Sequence, residues 1–210
     1  MKTIAVLDYG IGNVRSQLNA LEAVGARGIL TNNHDEILGA DAVILPGVGA
    51  FRHGMENLEK HNLISVIHEY IRTGKPFLGI CLGMQLLFEE SDEFGHSKGL
   101  GLVAGKIQKL PLPADGGLRL PHIGWKEIDE FENGGWADSI LETTKPHSAF
   151  YFVHSYAAVP ASSDTWLAKA TFGEHTFCCA VKQGNIFGTQ FHPEKSGESG
   201  LQIIKKFTEI

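Results

Sequence analysis

Thr3-Ile4-Ala5-Val6-Leu7, Asp41-Ala42-Val43-Ile44-Leu45 and Pro76-Phe77-Leu78-Gly79-Ile80 are nearly unbroken apolar runs. A strand with one wet face alternates polar and apolar residues, so a run without alternation must be covered on both faces. The intervening segments change period. Val14, Leu18, Leu21 and Val24 recur at helical spacing and stop at Gly25, and Leu63, Val66, Ile67, Tyr70 and Ile71 do the same before Gly74. Buried strands alternating with amphipathic helices require right-handed crossovers and a parallel sheet between two helical layers.

Beyond Leu100 the texture differs. Leu110-Pro111-Leu112-Pro113-Ala114-Asp115-Gly116-Gly117 reads as an exposed loop. Closely spaced strand candidates follow at Phe150–Val153, Trp166–Ala170, Phe177–Val181 and Ile186–Phe191, with Gln183-Gly184-Asn185 as a hairpin-type turn between the last two. A closing helix is expected from about Gly197 to Phe207. The expected fold is therefore α/β, a mostly parallel sheet flanked by helices with an antiparallel extension, in one domain over residues 1–210.

A net charge of -6 and the lack of any basic run argue against nucleic acid or an anionic membrane as partner. The N-terminal apolar run reaches Asp8 too soon for a signal peptide, and no later segment approaches membrane-spanning length. The cysteines number three, and Cys178 and Cys179 are adjacent, so they point to opposite faces of a strand and pair poorly. No disulfide framework or metal-ligand spacing emerges, which fits a cytoplasmic protein.

Cys81 sits in Gly79-Ile80-Cys81-Leu82-Gly83, directly after the third apolar run and before Met84-Gln85-Leu86-Leu87-Phe88. A glycine-flanked residue between strand and helix is the elbow geometry that lifts a nucleophile out of a sheet toward solvent. The glycines allow close backbone approach, and the helix start favours thiolate over thiol. On the pentapeptide alone, a buried core cysteine explains the pattern equally well.

Phe191-His192-Pro193-Glu194 supplies what a nucleophile lacks. In an extended chain residues i and i+2 face the same way, so Glu194 can orient His192, and His192 can take the thiol proton. Isolated, this tetrapeptide reads as a turn with a surface histidine; beside a glycine-flanked cysteine it reads as base and orienter. The Leu82 amide and the flexible Pro46-Gly47-Val48-Gly49 turn offer donors for an oxyanion. Glycines on both sides of Val48 also lower the cost of rotating its peptide, which suggests a turn that flips when a partner binds.

Together these segments resemble the class I, triad-type glutamine amidotransferases: Pro46-Gly47-Val48-Gly49, Gly79 to Gln85, and Phe191 to Glu194 match that family's signature. Asp8-Tyr9-Gly10-Ile11-Gly12-Asn13, Leu120 to Trp125, Tyr151 to Tyr156 and His192 to Ser196 resemble the glutaminase subunits of imidazole glycerol phosphate synthase, over nearly the whole chain. The resemblance implies that Cys81 attacks the side-chain amide of L-glutamine, with His192 moving the proton and Glu194 orienting it. It implies Val48 and Leu82 amides at the oxyanion, and Gly49, Gln85, Ser155 and Tyr156 around the substrate.

It also implies a heterodimer. The ammonia would pass to a cyclase subunit with a (β/α)8 barrel, which makes imidazole glycerol phosphate and aminoimidazole carboxamide ribotide in histidine biosynthesis. Asn13, Trp125, Tyr151 and Lys195 match the docking face, although Trp125 and Tyr151 also read as core or rim aromatics and Lys195 as a solvated charge. No cofactor or metal is implied. Lys126 departs from the family, which often carries Asn after the tryptophan, and Gly116-Gly117 and Asn133-Gly134-Gly135-Trp136 fall outside the match. Other readings are the glutaminase of a pyridoxal phosphate or anthranilate synthase, a catalytically silent regulatory subunit, and a free-standing cysteine hydrolase.

Overall fold

The computed structural model describes residues 1–112, 117–131 and 135–210. The N-terminal half is the expected alternation: β1 (Thr3–Leu7), α1 (Val14–Ala23), β2 (Arg27–Thr31), α2 (His34–Gly39), β3 (Ala42–Leu45), α3 (Phe51–Lys60), α4 (Leu63–Arg72), β4 (Phe77–Ile80) and α5 (Leu82–Leu86). Shorter strands follow: β5 (Phe88–Ser91), β6 (Ser97–Lys98), β7 (Val103–Lys109), β8 (His122–Glu130), β9 (Ser148–His154) and β10 (Tyr156–Pro160). The chain continues with β11 (Trp166–Phe172), β12 (His175–Gln183), β13 (Ile186–Thr189) and α6 (Gly197–Glu209). The sequence reading had no counterpart for β2, α2, α3, β5 to β8 or β10. Of the loop read over 110–117, Pro113 to Gly116 lie outside the described residues, as do Asn133 and Gly134 of the second unmatched segment.

Among the described residues one sheet of 13 strands organises the fold, with main order β2-β1-β3-β4-β13-β12-β10-β7-β5-β6. From β2 to β13 every pairing is parallel. β12 then runs antiparallel to β13, turning at Gly184-Asn185 between the paired residues Gln183 and Ile186. From β12 the sheet also branches through β11 and β8 to β9, all antiparallel. Thus β13 lies beside β4 although the two strands are far apart in sequence.

The parallel strands bury both faces, as their composition requires. Ile4 and Val6 pack with Leu21, Ile203 and Phe207 under α1 and α6. Ala5 and Leu7 pack with Ile37, Leu58, Val66 and Tyr70 under α2, α3 and α4. The same alternation separates the adjacent cysteines, for Cys179 belongs to the first core and Cys178 to the second. Burial pushes both thiols well above their ordinary range. Among the described residues no helix is long and apolar enough to cross a membrane.

Candidate active site

Cys81 sits at the turn from β4 into α5 with φ 54° and ψ −109°, a region that L-residues with a Cβ avoid and that gathers at functional sites. Two backbone bonds hold it there: its N–H donates to the Thr189 carbonyl at 2.7 Å, and its carbonyl accepts from Gln85 N at 3.1 Å. The glycines permit the crowding. A Cβ on Gly79 would lie 2.6 Å from the Gly83 carbonyl oxygen, and one on Gly83 would lie 1.9 Å from the Leu45 oxygen. The elbow is therefore wedged against the end of β3, where Pro46 begins the candidate oxyanion turn.

The thiol is not lifted into open solvent as the elbow pattern suggests. Cys81 is only 6% exposed, because β9 passes over it and the Val153 carbonyl takes the thiol hydrogen at 3.8 Å. What it faces is a cleft of about 320 Å³, lined by Val48, Gly49, Leu82, Gln85, Glu93, Ser155 and Tyr156 among others. Every residue expected at the oxyanion or around the substrate thus borders one cavity. Glu93 was not anticipated; its carboxylate accepts from Phe51 N at 2.7 Å at the start of α3 and faces the same space. A wider groove of about 420 Å³ lies beside Trp125, Lys126 and Lys169. It borders no cysteine, whereas the smaller cleft borders Cys81.

His192 and Glu194 arrive by way of β13, whose Thr189 pairs with Ile80. The strand stops at Thr189, two residues short of the expected Phe191, and Pro193–Lys195 form a single 3-10 turn. The pair therefore meets across a tight turn rather than along an extended chain, because proline fixes φ at a helical value at the first position of that turn. His192 Nδ1 and Glu194 Oε1 are 2.8 Å apart with side chains 2% and 0% exposed. Gln17 of α1 adds its Nε2 to the same carboxylate oxygen at 3.3 Å. The carboxylate assigns the proton to Nδ1, which leaves Nε2 as the ring's basic atom.

Burial by itself pushes the His192 imidazole down. Cys81 and Glu194, both facing the ring, outweigh that and raise it to about 10. Nε2 is nonetheless buried without a hydrogen-bond partner. In this geometry the sulfur bonds to Val153 and not to the ring, while the upward direction favours the protonated imidazole that forms when the ring accepts a thiol proton.

Two further histidines accompany the cleft: His154 borders it, and His122 lies behind His154. His154 Nδ1 is 2.8 Å from the Tyr156 carbonyl oxygen, so it must be the donor, and His154 Nε2 must accept from His122 Nδ1 at 3.2 Å. One carbonyl thereby fixes both tautomers. Burial, reinforced by Lys126, holds His122 down at about 4, and burial holds His154 at about 3. Both rings are neutral at physiological pH.

The residues expected at a docking face divide. Trp125 and Tyr151 are cross-strand partners on β8 and β9 with rings 6.2 Å apart, and Lys195 Nζ stands 6.0 Å from the Tyr151 ring. Tyr151 in turn lies 6.5 Å from the His192 ring, so this ladder runs from the surface to the base. Trp125 is 55% exposed and is a rim residue, not core. Asn13 is exposed at the start of α1, where its side chain makes no capping bond. Lys126, the departure from the family, is exposed opposite Phe150.

The geometry agrees with comparison to known proteins. The family model described as "Glutamine amidotransferase class-I" matches residues 5–210. The chain belongs to the class I glutamine amidotransferases. It is 44% identical to imidazole glycerol phosphate synthase subunit HisH 1 of Legionella pneumophila (strain Lens) over all of both chains. With the HisH subunit of Aquifex aeolicus (strain VF5) it shares 46% identity over 99% of this chain and 96% of that one. At that identity over the full length, this amidotransferase belongs with the HisH subunits. Its fold recurs in PurLQS from Thermotoga maritima, TM-score 0.73 at 19% identity, over 100% of this chain and 99% of that one. A further glutamine amidotransferase crystal structure gives TM-score 0.73 at 16% identity, over 99% of each chain.

Gln190, Gln17 and Glu93 escaped the sequence reading. For Gln190 a signal existed: it is a polar residue inside the apolar run that leads to His192. Gln17 and Glu93 carry no local signal, since their partners lie far along the chain.

Proposed function

We propose that this chain is the glutaminase subunit of imidazole glycerol phosphate synthase, hydrolysing L-glutamine to glutamate and ammonia for a cyclase partner in histidine biosynthesis. The observation that carries the reading is the convergence of Cys81 and the buried His192–Glu194 pair on adjacent parallel strands, beside a cleft of amino-acid size. The full-length likeness to HisH subunits supplies the pathway.

In this reading Cys81 Sγ passes its proton to His192 Nε2 and attacks the δ-carbon of glutamine. The oxyanion that forms meets the backbone amides of Val48 and Leu82. Collapse of the tetrahedral adduct breaks the C–N bond, His192 returns the proton to the leaving nitrogen, and ammonia departs from a γ-glutamyl thioester. Water then attacks the same carbon while His192 accepts its proton, and the released sulfur regains a hydrogen as glutamate leaves. Glu194 holds the ring and stabilises the imidazolium. Glu93 offers a carboxylate for the substrate's α-ammonium, with Gly49, Gln85, Ser155 and Tyr156 completing the enclosure. Asn13, Trp125, Tyr151 and Lys195 face the cyclase, a (β/α)8 barrel, in a cytoplasmic heterodimer, and residues 1–210 form one domain.

The test is a Cys81→Ala variant mixed with the cyclase. Glutamine-dependent product is expected to vanish while turnover with added ammonium persists. Loss of both activities from an intact complex overturns the assignment.

A further inference from the structure

Gln190 lies between β13 and His192, is fully buried, and has its side chain held on both sides. Its amide orientation follows from one fixed point. The Tyr156 carbonyl can only accept, so the atom of Gln85 that meets it at 3.0 Å is Nε2. That same Nε2 meets the Gln190 side chain at 3.0 Å, so the Gln190 atom there is the acceptor Oε1. The remaining end of Gln190 is therefore Nε2, a donor, and it lies 3.7 Å from Cys81 Sγ. The backbone allows little drift, for Gln190 N donates to Cys179 O at 2.8 Å and Thr189 O accepts from Cys81 N at 2.7 Å.

A neutral thiol needs an acceptor, and Val153 O provides one. A thiolate has no hydrogen to give and needs donors instead. We propose that Gln190 is a further catalytic residue, whose Nε2–H donates to the Cys81 sulfur and stabilises it as thiolate while it attacks and again as it leaves the thioester. Gln85 sets the polarity of that contact by occupying Oε1, so substrate enclosure and nucleophile activation share one chain of amides. The inference rests on the reading of Cys81 as nucleophile. The titratable groups facing the sulfur or bordering its cleft are His192 after β13, Tyr9 after β1, His154 on β9, Tyr156 at the start of β10 and Glu93 across the cleft, and the variants below leave all of them in place.

The experiment measures the alkylation rate of Cys81 by iodoacetamide against pH in the full chain, with the modified peptide identified by mass. Cys178 and Cys179 are fully buried and stay unmodified in the folded protein. Gln190→Glu keeps the shape and an oxygen for Gln85 but turns an acceptor toward the sulfur, and Gln190→Met removes the donor without adding charge. The expected result is an upward shift of the alkylation midpoint by about one to two pH units in Gln190→Glu and a smaller upward shift in Gln190→Met. A purely structural role lowers thermal stability and leaves the midpoint in place. Unchanged midpoints in folded variants overturn the role of Gln190 alone. Failure of wild-type Cys81 to react at any pH overturns the nucleophile reading and this inference with it. Loss of folding in both variants makes Gln190 an assembly residue and overturns the inference.

Discussion

Replacing Gly83 by alanine tests whether the elbow is held by close backbone approach. The new Cβ would stand 1.9 Å from the Leu45 carbonyl oxygen and 2.8 Å from its carbon, both backbone atoms that no rotamer change can move away. The end of β3 and the start of α5 must separate by about 1 Å before that contact reaches even 3.0 Å, a distance that real Cβ atoms essentially never go below. Overpacking of this kind costs about 1–3 kcal/mol, or roughly 2–12 °C in Tm for a chain of this size. The catalytic cost is expected to be larger, because the separation moves the Leu82 amide away from the Pro46–Gly49 turn, the two proposed donors to the oxyanion. Misplacement by about 1 Å at a reacting centre costs on the order of 10²-fold. Glutamine hydrolysis with the cyclase present, read against ammonium-dependent turnover and a melting curve, separates the two effects. Gly39→Ala serves as control: nothing lies within 4 Å of its Cβ, so it leaves activity alone and stabilises by up to about 1 kcal/mol. Glutaminase activity within threefold of wild type in Gly83→Ala would refute the argument from close approach.

Two further outcomes follow from the same geometry. Trp125→Ala removes an exposed aromatic that the monomer's core does not use, so the Tm of the free chain stays within about 1 °C while the Kd for the cyclase rises about 30-fold; titration calorimetry reads both partners, and an unchanged Kd removes Trp125 from the interface. The two buried histidines act in opposite directions, so thermal stability is expected to be highest between the titrations of His122 and His192. His192, raised from 6.5 to about 10, contributes stability that is complete below about 6.5 and is lost as pH rises through about 10, whereas His122, lowered to about 4, contributes stability that is lost as pH falls from 6.5 through 4. Melting curves between pH 3.5 and 10.5 should flatten on the alkaline side in His192→Asn and on the acid side in His122→Phe; alkaline limbs that superimpose contradict the His192 assignment.

The sequence exposed what was both local and apolar. β1, β3 and β4 are unbroken runs because both faces are covered, and α1 and α4 show their stripes because each lays one face on the sheet. β2 escaped because an edge strand, Arg27-Gly28-Ile29-Leu30-Thr31, buries only Thr31. In α3 the buried stripe is Phe51, Gly54 and Leu58, and a glycine chosen so that the helix can approach Leu82 and Leu86 gives no hydrophobic signal. β8 carries its aromatic outward at Trp125, which inverts the pattern expected of a strand. The site was legible where glycine and proline punctuate it, at Gly79 to Gly83 and at Pro193. The amide chain through Gln85, Gln190 and Tyr156 was not, because hydrogen bonds between residues 71 and 105 positions apart leave no periodicity to read.

The place of β13 bears on how this protein comes to fold. β4 pairs with β3 on one side and with β13 on the other, so until residues 186–189 arrive its second edge presents unpaired N–H and C=O groups in a wholly apolar strand. Such an edge templates aggregation, and the pairing that closes it joins Phe77 to Ile186, about half the chain away, the kind of non-local contact that forms slowly. On the ribosome, β1 to β4 emerge first and must wait for the β12–β13 hairpin. A nascent chain therefore has no base near Cys81 while it is still exposed, and the appearance of glutaminase activity during refolding times the insertion of one four-residue strand.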